Sequence, residues 1–290
     1  MNAHTNPDVK HDALYVFEAT DSNPNGDPDN GGRPRVDLET GQGVVSDVSL
    51  KRKVRDSIIY RVEQGLSETR YKIFIRRGLS LNEQLEAAYQ RLDQKLSDKP
   101  NPEHVAKSQE YMIENFFDVR MFGAVMSTGK AQAGKVTGPV TIGLARSVDP
   151  VMPMEMGITR TASTREESRD NASQMGNKSV VPYGLYVARV HYQPTKDIAV
   201  TTGDLELLWC SLATMFEITR SAARPDISAR HLIVFSHDNP FGNAPARALF
   251  DKVKITKNSD IAVPQSYADY SVALPSAADL PKGVSVTDSI

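Results

Sequence analysis

The chain has 290 residues, 40% of them hydrophobic and 24% charged, which suits one elaborated soluble domain with a substantial core. Its net charge of −2 argues against a uniformly basic nucleic-acid binder, although phosphate binding depends on local potential and a near-neutral total can hide a positive groove. A single cysteine, Cys210, excludes an internal disulfide framework and a thiolate metal cluster, so a reducing cytoplasm is the expected location.

In chain order, the first eight residues hold no apolar core, so no signal peptide is expected. Residues 12–19 read as a buried strand. The loop Asp21-Ser22-Asn23-Pro24-Asn25-Gly26-Asp27-Pro28-Asp29-Asn30-Gly31-Gly32 follows, too rich in Pro, Gly, Asn and Asp for regular structure. The spacing predicts a helix over 46–64 and a second strand at Tyr71-Lys72-Ile73-Phe74-Ile75. Two amphipathic helices, about 81–96 and 102–117, look like an appended helical module. An apolar segment at 136–145 and a long polar stretch lead to a strand over 181–192, a helix over 204–220 and a strand over 231–235. The tail after Pro264 is rich in Ser, Ala, Asp and Pro and is expected to be loosely held. No apolar run approaches a membrane span. Without the insertions the order is strand–helix–strand twice, the split βαβ pattern of ferredoxin-like and RNA-recognition folds.

Four segments could carry chemistry. Asp21-x-Asn23-x-Asn25-Gly26 copies the first half of a calcium loop, but Gly32 stands where a bidentate Glu is needed. Gly129-Lys130-Ala131-Gln132-Ala133-Gly134-Lys135-Val136 is one residue short of a nucleotide-binding loop. Val136 replaces the metal-ligating hydroxyl, leaving either non-specific phosphate contact or a solvated loop.

In the helix after the opening loop, Leu50, Val54, Ile58 and Val62 form an apolar stripe. Lys51 falls near the middle of that stripe, while Arg52 and Lys53 point away. Cations near a helix N-terminus oppose its dipole, so this region either binds an anion or is a solvated face with Lys51 snorkelling past the core. The segment 152–178 carries Arg160, Arg165, Arg169 and Lys178 among alternating Met residues, and reads as a protruding hairpin or a surface loop. The six histidines show no metal-ligand spacing, and no catalytic carboxylate pair stands out beyond Asp21 and Asp27 in the loop.

Several strings together resemble one family. Phe17-Glu18-Ala19-Thr20-Asp21-Ser22-Asn23-Pro24-Asn25-Gly26-Asp27-Pro28 is similar to the N-terminal signature of the CRISPR-associated backbone subunit of Cascade, type I-C, in the repeat-associated (RAMP) superfamily. Asp118-Val119-Arg120-Met121-Phe122-Gly123, Thr137-Gly138-Pro139-Val140, Ile158-Thr159-Arg160 and Gly176-Asn177-Lys178-Ser179-Val180-Val181-Pro182-Tyr183-Gly184-Leu185-Tyr186 fit in order.

The resemblance implies an α+β fold with a modified ferredoxin-like, RNA-recognition (RRM-like) core, helical fingers at 77–119 and a protruding thumb at 149–180; the tail at 264–290 is read from its composition alone. It implies copies stacked head-to-tail along a CRISPR guide RNA, capped by other Cascade subunits, with the guide bases left free to pair with a target DNA strand. No cofactor, metal or cutting activity is implied. Asn25, Gly26, Lys51, Arg52, Arg55, Arg120, Lys130, Lys135, Arg160 and Lys178 are then the expected guide contacts. Tyr15 and Phe17 share one face of the first strand, as stacking residues would, or belong to the core. The rival reading is a metal-dependent endoribonuclease of the same superfamily using Asp21 or Asp27.

Overall fold

The apolar run at 13–17 lies in the strand that organises everything else. In the computed structural model, which describes residues 2–99, 101–160 and 174–290, the chain begins with β1 (His11–Ser22), β2 (Gly26–Asp27), β3 (Arg33–Pro34) and β4 (Gln42–Val45). Helices α1 (Asp47–Glu63), α2 (Glu68–Tyr71), α3 (Leu81–Arg91), α4 (Pro102–Asn115) and α5 (Phe117–Phe122) follow. Short strands β5 (Ala124–Met126), β6 (Gly134–Val136) and β7 (Val140–Ile142) lead to β8 (Ala145–Pro150), β9 (Met154–Arg160) and β10 (Gln174–Tyr192). The chain ends with α6 (Thr202–Ile218), β11 (Asp226–His237), α7 (Ala246–Phe250), β12 (Lys254–Lys257), β13 (Tyr270–Ala273) and β14 (Val284–Asp288).

The main sheet has the order β14-β11-β1-β10-β8-β4, with β7 and β9 pairing other stretches of β10, and every pairing is antiparallel. The architecture is therefore mixed α/β around an antiparallel sheet. β1 lacks polar alternation because both of its faces are covered. Ala13, Tyr15, Phe17 and Ala19 pack with buried residues of α1 and α6 in the main core, whereas Leu14 and Val16 join apolar clusters on the other side. The Tyr15 hydroxyl donates to the Leu212 carbonyl at 2.7 Å, and the Phe17 ring stacks on Tyr186. Both aromatics are core residues and present no open stacking surface.

Helix ends follow their capping residues. Ser46 accepts from the Ser49 N–H at the start of α1, and Thr201 with Asp204 closes a reciprocal cap on α6. No helix among the described residues is long and apolar enough to cross a membrane.

Two expectations fail. Residues 71–75 are not a strand: α2 ends at Tyr71, and the Phe74 and Ile75 N–H groups donate to the Asp118 carboxylate. The run looks like a strand because Ile73 and Phe74 are both buried, but they enter two different clusters. The stretch beside β10 is instead occupied by β7 and β8.

The tail is not loosely held either. β14 forms the outer strand of the main sheet against β11, Tyr267 hydrogen-bonds His231, and the Tyr270 hydroxyl donates to Asp149. Its polar composition reflects a strand paired along one edge, with few positions needing deep burial.

The helical module has its own apolar cluster. Leu85, Ala88 and Tyr89 of α3 meet Met112 of α4, and the turn at Ala131 and Ala133 closes over them. β9 and residues 174–180 of β10 form a hairpin that continues the sheet past the end of β1.

Candidate nucleic-acid interface

The opening loop is held by its own polar groups. Asn23 Nδ2 donates to the Gly32 carbonyl at 2.7 Å, and the Gly32 N–H donates to the Asp27 carbonyl at 2.7 Å. Gly26 is needed for that closure, since a Cβ there would lie 2.8 Å from the Gly32 oxygen. Gly31 and Gly32 have φ of +60° and +77° and turn the tip back. Asn25 Oδ1 accepts from the Ser46 N–H at 2.8 Å, which fixes the loop to the residue that caps α1. Asn25 and Gly26 therefore shape the loop and its junction with the basic helix.

Asp21 and Asp27 occupy different surroundings. Asp21 is an exposed non-glycine residue at φ +44°, lining a cleft with Asp149 and Tyr183. Asp27 accepts from the Asp29 N–H and pairs with Arg35 at 3.2 Å. Among the described residues no group of three or more His, Cys, Asp or Glu side chains could hold a metal ion.

The basic helix divides differently from the expected stripe. Lys51 pairs with Asp47 at 3.1 Å and Arg52 with Asp56 at 2.8 Å, each one helical turn apart and partly solvated. Lys53, expected to point away, is buried: Nζ donates to Thr219 Oγ1 and lies over the Phe216 ring. Burial, helped by the Arg224 charge, pushes its pKa down to about 8. Arg55 is also buried, in an ion pair of 2.8 Å with Asp118 and over the Phe122 ring. These two side chains turn inward because α6 and α5 pack on that flank of α1, which the helix's own periodicity cannot show.

Arg120 corrects the expectation most sharply. It is fully buried and donates to the carbonyls of Ile113, Glu114 and Arg70 and to Asp204 at 2.6 Å. Burial alone would raise the Asp204 pKa, but Arg120 and Arg70 outweigh it and hold the carboxyl below its usual range. Arg55 and Arg120 thus join elements together and offer no surface for a phosphate.

Lys130 and Lys135 are exposed on the helical module, Lys130 near Asp98 at 3.5 Å. Arg160 ends β9, but its side chain lies outside the described residues, as do Arg165 and Arg169; of the 149–180 segment, 149–160 and 174–180 are described.

Lys178 is brought to the opening loop. A cleft of about 640 Å³ lies between the loop tip (Asn30 to Arg33), the base of the hairpin (Glu155, Lys178, Ser179) and Ala222 with Ala223. Arg33 pairs with Glu155 across it. The Asn23 N–H donates to the Ala223 carbonyl at 2.8 Å, fastening the third wall. Arg33 carried no sequence signal of its own, and Asn23 and Ser179 entered only as members of longer strings, because the three walls are far apart in the chain.

The family model described as CRISPR-associated protein Cas7 matches residues 9–275. A curated relative from Haloferax volcanii, described as CRISPR-associated protein Cas7, is 27% identical over 201 residues, covering 61% of this chain and 54% of that protein. The chain thus spans about half the length of that relative. A chain of a solved CRISPR RNA-guided surveillance complex in a pre-nicking state aligns at 15% identity with a TM-score of 0.47, covering 79% of this chain and 78% of its own. A chain of another solved CRISPR RNA-guided surveillance complex aligns at 15% identity with a TM-score of 0.42, covering 82% and 73%.

Proposed function

The chain belongs to the CRISPR-associated Cas7 family, and from that premise we propose that it is a guide-RNA-binding backbone subunit of a type I-C surveillance complex. Copies stack head-to-tail along the guide, other subunits cap the row, and the guide bases remain free to pair with target DNA. The subunit binds and does not cut.

One observation carries the reading. The family-like opening loop folds against the hairpin base to make a polar cleft with Lys178 in its wall, and Asn25 ties that loop to the start of the basic helix. Half-buried Lys51 and Arg52, each paired with a carboxylate one helical turn away, adjoin this junction, and the exposed Lys130 and Lys135 add cations on the module. Phosphate contacts of this kind hold a strand without reading its sequence.

The core is of the ferredoxin-like, RRM-like kind. The order β11-β1-β10-β8 with α1 and α6 on one face supports this, with residues 77–119 as fingers and 149–180 as thumb. One sheet face packs on the helices and the other carries α7 and apolar residues of the C-terminal segments, so the guide is assigned to the loop, helix and hairpin side.

The test is purification of the full chain from cells expressing a guide array, with the 260/280 nm absorbance ratio measured and any bound nucleic acid sized. RNA of one discrete guide length supports the assignment. Protein that is free of nucleic acid overturns it.

A further inference from the structure

We propose that Asn30 is a self-modifying residue, its side-chain amide converted to a carboxylate by attack of the Gly31 backbone nitrogen, while Asn25 in the same loop stays intact. The conversion stands on the geometry of the loop. Its consequence for RNA rests on the guide-binding reading.

The chain holds two Asn-Gly pairs, Asn25-Gly26 and Asn30-Gly31, and both lie in the opening loop. In such a pair the glycine nitrogen reaches the side-chain carbonyl carbon of the Asn, because no side chain on the glycine blocks the approach. The nitrogen gives up its proton to solvent and bonds to that carbon. The bond from the carbon to the amide nitrogen breaks, and ammonia leaves with a proton from solvent. Water then opens the five-membered succinimide at either carbonyl, giving Asp or isoaspartate, in which the backbone runs through the side chain. Water is the only co-reactant. Ring closure needs the Asn side chain and the following peptide to turn towards each other, so local restraint sets the rate.

The fold restrains the two pairs unequally. Asn25 Oδ1 accepts from the Ser46 N–H at 2.8 Å, and its backbone carbonyl accepts from the Arg35 N–H at 3.2 Å. The Gly32 oxygen fills the space beside Gly26, 2.8 Å from where a Cβ would lie. Asn30 ends a single 3₁₀ turn, Pro28–Asn30, at the exposed tip. Its side chain makes no hydrogen bond among the described residues. Nothing lies within 4 Å of a notional Cβ on Gly31. The turn is capped by one bond of 3.3 Å, from the Asp29 N–H to Asp27 Oδ1, so it opens locally at little cost.

The product alters the cleft. Asn30 shares its lining with two carboxylates, Asp29 and Glu155, and two cations, Arg33 and Lys178. A third carboxylate makes this balanced wall net negative, which disfavours a phosphate nearby. A subunit left without RNA therefore ages into a form that binds it less well.

The experiment incubates the purified full chain in mildly alkaline buffer, beside a urea-unfolded sample, and locates the amide-to-acid mass gain by peptide fragmentation. In the folded chain Asn25 should convert about twentyfold more slowly than Asn30, the value of its two hydrogen bonds. In urea the two should convert alike. Asn30→Gln, which would have to close a six-membered ring, should gain no acid at that position. Equal rates at Asn25 and Asn30 in the folded chain would overturn the proposal, as would an Asn30 that stays an amide while the unfolded sample converts.

RNA affinity tests the consequence separately. Asn30→Asp should bind about fivefold more weakly than fresh wild type at low salt, with the gap closing as salt rises. Aged wild type should move towards that value, and aged Asn30→Gln should match its own fresh sample. Asn30→Asp binding as tightly as wild type would overturn the consequence. A fresh wild type that binds no RNA overturns the functional reading, and the mass measurement still decides the modification.

Discussion

The guanidinium of Arg120 and the carboxylate of Asp204 meet at 2.6 Å with neither side chain exposed, joining α5 to the first turn of α6. Asp204 also closes the α6 cap and receives Arg70, so one carboxylate serves two arginines and a helix end. Arg120→Ala leaves that carboxylate buried with a weakened counter-charge. Such losses cost about 3–5 kcal/mol. Urea denaturation should show a drop of that size, and a change under about 1 kcal/mol would mean that the pair is not a structural tie.

Lys51 and Arg52 behave in the opposite way. Their partners Asp47 and Asp56 lie one turn away in partly solvated pairs worth only about 0.3–0.5 kcal/mol each. Lys51→Ala combined with Arg52→Ala should leave the unfolding midpoint almost unmoved and weaken RNA binding. The slope of log K against log salt should flatten by about 0.7 for each single-strand phosphate that the variant no longer neutralises. An unchanged slope removes α1 from the interface.

His11 sets an acid limit on stability. Its ring is buried, Nε2 bonds the Asn6 carbonyl and Nδ1 bonds the Ser236 hydroxyl. Burial lowers its pKa from 6.5 to about 4, with His237 and His4 adding to the fall while the Asn6 carbonyl and Asp12 oppose it. Between those two values the unfolded chain binds the proton and the folded chain does not, so stability falls as pH drops from about 6.5 towards 4, by about 3 kcal/mol in all. Unfolding free energies measured across that range should show the decline, and His11→Gln should lose most of the slope. A wild type with flat stability from pH 7 to 4 would contradict the assignment.

Asp21 and Asp27 separate the binding and cutting readings. Asp21→Ala and Asp27→Ala should leave bound RNA as intact as the wild type does, with or without magnesium, when followed on denaturing gels. Cleavage by wild type that either variant abolishes would establish the nuclease reading. Asp27→Ala should also free Arg35 and loosen the opening loop, whereas Asp21→Gly should be tolerated because the backbone there is left-handed.

The legible parts of this fold are those whose pattern is local. The helices 47–63 and 202–218 show their apolar stripes and capping residues directly, and β1 and β11 show as apolar runs. Where a distant partner decides, the pattern misleads. Phe74 and Ile75 bond the carboxylate of Asp118 far along the chain, Lys53 and Arg55 are buried by helices that pack later in the sequence, and Val284 to Asp288 pair with a strand well upstream. The site follows the same division. Lys51 and Arg52 are readable from the helix, but the cleft joins residues near 23, 178 and 223, which only the folded chain brings together.

β10 pairs with β9 through residues 174–180 and with β1 through residues 181–192, without an interruption between them. The hairpin is therefore a cantilever whose fixed end is clamped inside the sheet, and its reach is set by the rise of one strand, about 3.3 Å per residue. Adding two residues to each arm would carry the far end outward by about 7 Å with its faces preserved. Adding one to each would turn every outer side chain onto the opposite face. The strand thus acts as a ruler graduated in steps of two.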